Sequence, residues 1–180
     1  MTTSVKIFFL IATLATFSSL AGAQVPVQVA PAKVGLINSD MFSDPNGGIT
    51  RLVNALRTLE TEFKPKRDEI TQLVGRLNSL QQVPPNTPAQ QIASRREQAE
   101  TLQIDIQRKQ EDARVAYAKR LATLTNPIRQ SVYTALEAFA KQRGMDVLLD
   151  ISKFPEGVLL ANKNADLTPT FIREFNSKNP

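Results

Sequence analysis

The sequence has no cysteine, no histidine and no tryptophan among its 180 residues, and only two tyrosines. Each absence excludes chemistry. Without cysteine there are no disulfides, no thiolate metal sites and no lipid-modified N-terminal cysteine. Without histidine the chain lacks the side chain that titrates nearest neutral pH, the usual base of nucleophile pairs and a common zinc ligand. The paired glycines Gly47-Gly48 lack the Gly-Lys-Ser/Thr ending of a phosphate-binding loop, so ATP use has no support and no cofactor is expected. Carboxylates alone remain for catalysis, and the candidates are Asp40, Asp44, Asp146, Asp150 and Asp166. Each fits a turn, a cap or a strand edge and none has a recognisable helper, so we expect no enzyme.

The first 23 residues read as a secretory signal: Lys6, an apolar stretch from Ile7 to about Leu20, then Ala21, Gly22 and Ala23 as a cleavage site. The stretch is about 14 residues, short of the roughly 20 that span a bilayer as a helix. An exported chain beginning near Gln24 is expected. Its charge is uneven. Residues 49 to 143 hold 16 Lys/Arg against 10 Asp/Glu, a net of +6, while the rest of the mature chain has 5 against 7, a net of −2.

From Ile49 the apolar residues recur at steps of three and four: Ile49, Leu52, Leu56, Leu59, Phe63, then Ile70, Leu73, Leu77 and Leu80, with Lys66 as the exception. This repeat predicts a helix over 49–81 committed to a narrow seam against a partner helix. Pro65 is expected to bend it. Val83 to Pro88 (Val-Pro-Pro-Asn-Thr-Pro) reads as the tip of a hairpin, and a second helix runs from Ala89 to Arg143 with Ile92, Ala99, Leu102, Ile106, Ala113 and Ala116 on one stripe. From Tyr117 the stripe continues through Leu121, Leu124, Ile128, Val132, Ala135 and Phe139.

At about 1.5 Å per residue the helices measure about 50 and 82 Å, so the second overhangs the first. Asn126-Pro127 sits where the excess begins and suits a fresh helix start, which predicts an arm over 49–126 and a body formed by 24–48 with 127–180. Gly144 is the expected stop. Lys33 to Asn38, Met145 to Ile151 and Val158 to Ala161 read as strands, the third joined by a hairpin through Lys153 to Glu156. Asp166-Leu167-Thr168-Pro169 predicts a last helix with Thr168 as N-cap and Phe171, Ile172 and Phe175 on its apolar face. Such a body would be marginal alone, which argues for a sheet completed by other subunits. The candidates for it are Val34, Leu36, Ile37, Val147, Leu149, Ile151, Val158 and Leu160.

The signal, the Lys-Val-Gly-Leu-Ile-Asn-Ser strand, the charged hairpin, the Gly-Met-Asp-Val-Leu-Leu-Asp strand and the Asp-Leu-Thr-Pro-Thr-Phe-Ile helix together resemble the Skp/OmpH periplasmic chaperones. The resemblance spans the mature chain in order of elements and is most specific at Val34 to Ser39, Arg143 to Asp150 and Asp166 to Ile172. It departs from the family at the proline-rich tip and at the Val-Pro-Val-Gln-Val-Ala-Pro-Ala lead. It implies an α+β fold: a long antiparallel helical hairpin, a coiled-coil arm, projecting from a small β-body and assembled as a homotrimer. It also implies a periplasmic, ATP-independent holding chaperone for unfolded outer-membrane proteins.

For the arm, the basic positions Lys64, Lys66, Arg67, Arg76, Arg95 and Arg96 are the candidate client contacts, acting diffusely. Each alone also fits a solvated helix face beside Glu60, Glu62 or Glu97. Anionic lipid or a membrane surface is a second possible partner, and export argues against nucleic acid. The competing reading is an exported structural or adhesive coiled-coil protein without chaperone activity.

Overall fold

The structure is a computed structural model that describes residues 31–154, 156–158 and 162–180. The expected signal and the lead after it lie outside the described residues. From Ala32 to Pro180 the chain is one compact unit. Its elements are strand β1 (Val34–Ile37), a 3-10 turn (Ser39–Ser43), helix α1 (Thr50–Gln81), helix α2 (Ala89–Gln142), strand β2 (Val147–Asp150), 3-10 turns at Ile151–Lys153 and Lys163–Ala165, and helix α3 (Thr168–Lys178). The fold is mostly helical with a small two-stranded sheet.

The two strands run parallel, with Val34 opposite Val147 and Ile37 opposite Asp150. A parallel pair needs a crossover connection. Here that connection is the whole α1–α2 hairpin. Beneath the sheet lies a core of Ile37, Phe42, Ile49, Ile128, Val132, Phe139, Phe171, Ile172 and Phe175. Phe171 is its hub, 1% exposed, with ring centroids 5.5 Å from Phe42, 5.4 Å from Phe139 and 5.8 Å from Phe175. Ile49, just before α1, and Leu52 and Ala55 within it join this core, so the root of the first helix is shared with the base.

The hairpin seam follows the spacing of the sequence. Leu59, Phe63 and Ile106 are buried, while Ile70, Leu73, Leu77, Leu80, Ile92, Ala99 and Leu102 are half-buried. Burial is therefore complete in the middle of the seam and partial in the turns nearest the tip. Phe63 meets Tyr117 edge-on at 5.2 Å, and Lys66, the polar intruder in the repeat, lays its ammonium 5.1 Å from the Phe63 ring.

Several expectations need correction. Helix α2 runs unbroken through Asn126-Pro127, and no fresh helix starts there. Pro127 and Thr123, whose carbonyl the proline leaves unbonded, are both exposed, so water can satisfy that carbonyl while Ile128 and Val132 continue the buried stripe. Pro65 is likewise housed inside a continuous α1, with Thr61 exposed beside it. Ile151 is not in the sheet. The Asp150 carboxylate accepts from the Ser152 amide at 3.1 Å and the Ser39 amide at 3.1 Å, which turns the chain into a 3-10 turn at Ile151. Val158 has no regular structure, and residues 159–161, Leu160 among them, lie outside the described residues.

Thr168 is the first residue of α3 rather than its N-cap. Its hydroxyl is already engaged, donating to Asp166 at 2.6 Å and accepting from the Asn38 amide at 2.8 Å. The helix ends are closed from a distance. No side chain next to α1 caps it; instead Asn176 of α3 accepts from the Thr50 amide at 3.0 Å and donates to the Gly48 carbonyl at 3.0 Å. Gly144, at φ 60°, ends α2 in a Schellman arrangement, with its amide on the Lys141 carbonyl and the Met145 amide on that of Ala140.

The gradient of burial predicts a gradient of mutational cost. Phe171→Ala should lower the unfolding free energy by about 3–5 kcal/mol, whereas Ile92→Ala near the tip should cost under about 2 kcal/mol. Urea titrations followed by circular dichroism would measure both.

Candidate functional site

The arm presents most of the chain's cations, and the structure sorts them by what they touch. Lys64 is 2.6 Å from Asp68 one turn on, and Arg67 forms a two-bond pair with Glu60. Arg95 reaches across the tip and donates to the Gln82 carbonyl at 2.8 Å and the Ser79 carbonyl at 3.4 Å. It thereby closes the C-terminal end of α1, where carbonyls have no helical partner. The tip itself turns through Asn86, at φ 64°, with the Thr87 hydroxyl on the Pro84 carbonyl at 2.7 Å. Lys66 rests on Phe63. Arg76 and Arg96 have no acidic partner among the described residues. The six candidate positions thus do not form one patch, and only Lys66, Arg76 and Arg96 keep their charge uncommitted to an acid or a helix end.

Sequence reasoning missed others, three of them on α2. Arg108, Lys119 and Arg129 on α2 also lack an acidic partner among the described residues. Arg108-Lys109 and Lys119-Arg120 are basic pairs as dense as Arg95-Arg96, so the charge signal was present for two of them, whereas Arg129 stands alone in the sequence. Arg76 and Arg108 flank a distal groove of about 620 Å³ floored by Leu80 and Leu102. A second groove of about 700 Å³ lies at the arm's root, with Phe42, Leu52, Ile128, Val132 and Leu148 on its walls and Arg129 and Lys153 among its polar residues.

Other charges bind the hairpin to itself. Arg120 donates twice to Glu62 at 2.8 and 2.7 Å, and Lys109 is 2.8 Å from Glu69, each joining α2 to α1. The hydrogen bonds from Arg120 hold the Glu62 carboxyl below its usual range, and the hydrogen bond that Lys109 donates to Glu69 raises the Lys109 ammonium above its own. Both pairs are exposed, so their contribution to stability is small and screened by salt.

The carboxylates weighed for catalysis act as braces. Asp44 accepts from the Asn46 amide at 2.7 Å, Asp146 from the Lys33 amide at 2.8 Å, and Asp166 from the Thr168 amide at 3.0 Å. Asp40 lies 3.9 Å from Lys153. Burial pushes the Asp150 carboxyl up, but hydrogen bonds from Ser39 and Ser152 outweigh it and hold the group below its ordinary value.

Of the sheet candidates, Ile37 is buried in the chain's own core and Leu36 is also covered. Val34, Val147 and Leu149 share the face turned away from that core and remain 47%, 41% and 43% exposed. Among the described residues, no helix is long and apolar enough to cross a membrane.

Comparison with known proteins bears on the same region. The family model described as outer membrane protein (OmpH-like) matches residues 49–175. The crystal structure of an OmpH-like protein from Caulobacter crescentus CB15, suggested there to be an outer membrane chaperone, is similar at 19% identity and a TM-score of 0.42, over 83% of this chain and 87% of that one. No curated protein matches the chain.

The ion pairs make one acid-sensitive prediction. Because the folded Glu62 carboxyl titrates below its ordinary value of 4.5, its pair with Arg120 stabilises the hairpin above that pH and is lost as pH falls through the lower, folded value. Glu62→Gln should therefore lose less helicity than the parent chain below about pH 4.5, measured by circular dichroism at low salt.

Proposed function

The chain belongs to the OmpH-like family, and on that premise we propose that it is a periplasmic, ATP-independent holding chaperone for unfolded outer-membrane proteins. The observation that carries the reading is the long hairpin of net +6 over residues 49–143, with Lys66, Arg76 and Arg96 uncommitted to acidic partners. Such an arm attracts acidic polypeptide over about 8–10 Å at physiological salt and holds it through many weak contacts. An unfolded barrel protein exposes apolar strands that pair edge to edge, and keeping those strands apart is the service performed.

The working division is an arm over 49–126, with its tip near 83–88, and a body over 24–48 and 127–180, after a signal cleaved near Ala23. Three copies joined through their bodies form the assembly in this reading. It is supported by the apolar face of Val34, Val147 and Leu149, since a parallel sheet is normally covered on both faces. Anionic lipid would be a secondary partner of the same cations.

The test is dilution of an urea-unfolded outer-membrane barrel into buffer with the protein in excess, followed by light scattering. Suppression is expected at low salt, weaker by 0.5 M salt as charge attraction is screened to about 4 Å. No suppression at any excess would leave the chain as an exported structural coiled-coil protein. In sedimentation a trimer is expected, and a stably folded monomer would contradict the shared body.

A further inference from the structure

The two helices of the arm differ on the sides turned away from their seam. On α1 that side carries Asn54, Thr61, Asp68 and Gln72, and no large apolar side chain of α1 is exposed among the described residues. On α2 it is different. Ile104, Val115 and Tyr133 are 58%, 57% and 67% exposed. Ile104 stands two residues from both Leu102 and Ile106, and Val115 two residues from both Ala113 and Tyr117. At about 100° per residue, two residues carry a side chain roughly to the opposite side of the helix. Tyr133, two residues before Ala135, falls on the same line.

The cations of this side are the ones without partners. Arg108, Lys119 and Arg129 fall within the same stripe, each four residues from one of its apolar side chains (Ile104, Val115 and Tyr133), and none has an acidic partner among the described residues. Of the acids nearby, Glu111 is paired with Arg114 at 2.9 Å and Glu137 with Lys141 at 2.6 Å, while Asp112, one turn from Arg108, has no cation within ion-pair distance among the described residues. At its lower end the stripe is continuous with the root groove, which Arg129 and Tyr133 also line.

We propose that this outer stripe of α2, from Ile104 to Tyr133, is the track on which the arm holds an unfolded acidic polypeptide, and that the polar side of α1 faces solvent. The inference rests on the chaperone reading above and adds the face that does the holding. Apolar and cationic positions interspersed in this way suit an extended chain in which apolar residues and carboxylates are likewise interspersed. A wholly apolar partner would leave the three cations unmatched, and a polyanion would leave the three apolar side chains exposed.

Because the chain has no cysteine, Val115→Cys, Tyr133→Cys and Thr61→Cys each provide a single labelling site for an environment-sensitive fluorophore. Adding a urea-unfolded outer-membrane barrel should shift the emission to shorter wavelength at positions 115 and 133 and leave position 61 unchanged. The variant Ile104→Gln, Val115→Gln, Tyr133→Gln should weaken client binding by about tenfold or more. Circular dichroism and sedimentation matching the parent chain establish its fold, and Val115→Gln alone, expected to weaken binding by about threefold, replaces it if they do not match. Equal shifts at 61 and 115, or unweakened binding by the glutamine variant, overturns the track while the chaperone reading stands. A shift at 115 on raising the protein's own concentration without client assigns the stripe to a second copy and also overturns it. Failure of the parent chain to suppress scattering brings down both readings.

Discussion

Pairing two parallel strands across an inserted arm is the constraint on which the rest of this structure depends. The register that sets Val34 opposite Val147 brings the entry of α1 and the exit of α2 to one place. From there the two helices have a common starting line. Ile49 and Ile128 are buried in the same core, and the seam proceeds outward through Leu59, Phe63 and Tyr117 already aligned. Helix α3 secures the closure twice. Its Asn176 holds the start of α1, and its Glu174 pairs with Arg143, whose guanidinium lies 3.7 Å over the Phe139 ring at the end of α2.

Along the arm, apolar contact and charge take separate tasks. The seam holds the hairpin by burial, which is complete at Leu59, Phe63 and Ile106 and partial in the turns on either side. The exposed pairs between helices, Glu62 with Arg120 and Glu69 with Lys109, add register more than stability. The cations left over act at longer range, where salt rather than geometry limits them. An arm of this kind stays assembled at an ionic strength that already weakens its attraction for a charged partner.

Local pattern made much of this legible. The three-four repeat from Ile49, the tip at Val83 to Pro88, the two short strands and the apolar face of α3 all rest on neighbouring residues and periodicity. What escaped depends on partners far away in sequence. Nothing near Thr50 announces that Asn176 will cap it, and Thr168 resembles an N-cap until the Asn38 amide claims its hydroxyl. Asn126-Pro127 carries a strong helix-start signal, yet burial of Ile128 and Val132 on an unchanged stripe overrides it. The basic runs were legible as charge, but not that Arg95 would close a helix end while Arg108, Lys119 and Arg129 stayed unmatched. Periodicity marks the seam of α2; the stripe behind it is visible only once exposure is known.

The position of Phe171 has a consequence in time. The hub of the base lies in α3, while its partner Phe42 precedes the arm, so the base cannot assemble until the chain as far as α3 is available. The hairpin has no such delay, because its contacts near the tip join residues close in sequence and such contacts form fast. A chain emerging N-terminus first therefore shapes its arm before its base. Until α3 arrives, Ile49, Phe42 and Val132 have no finished core to enter. Packing of Phe171, Ile172 and Phe175 is thus the step that takes the apolar side chains of the base out of reach of other chains.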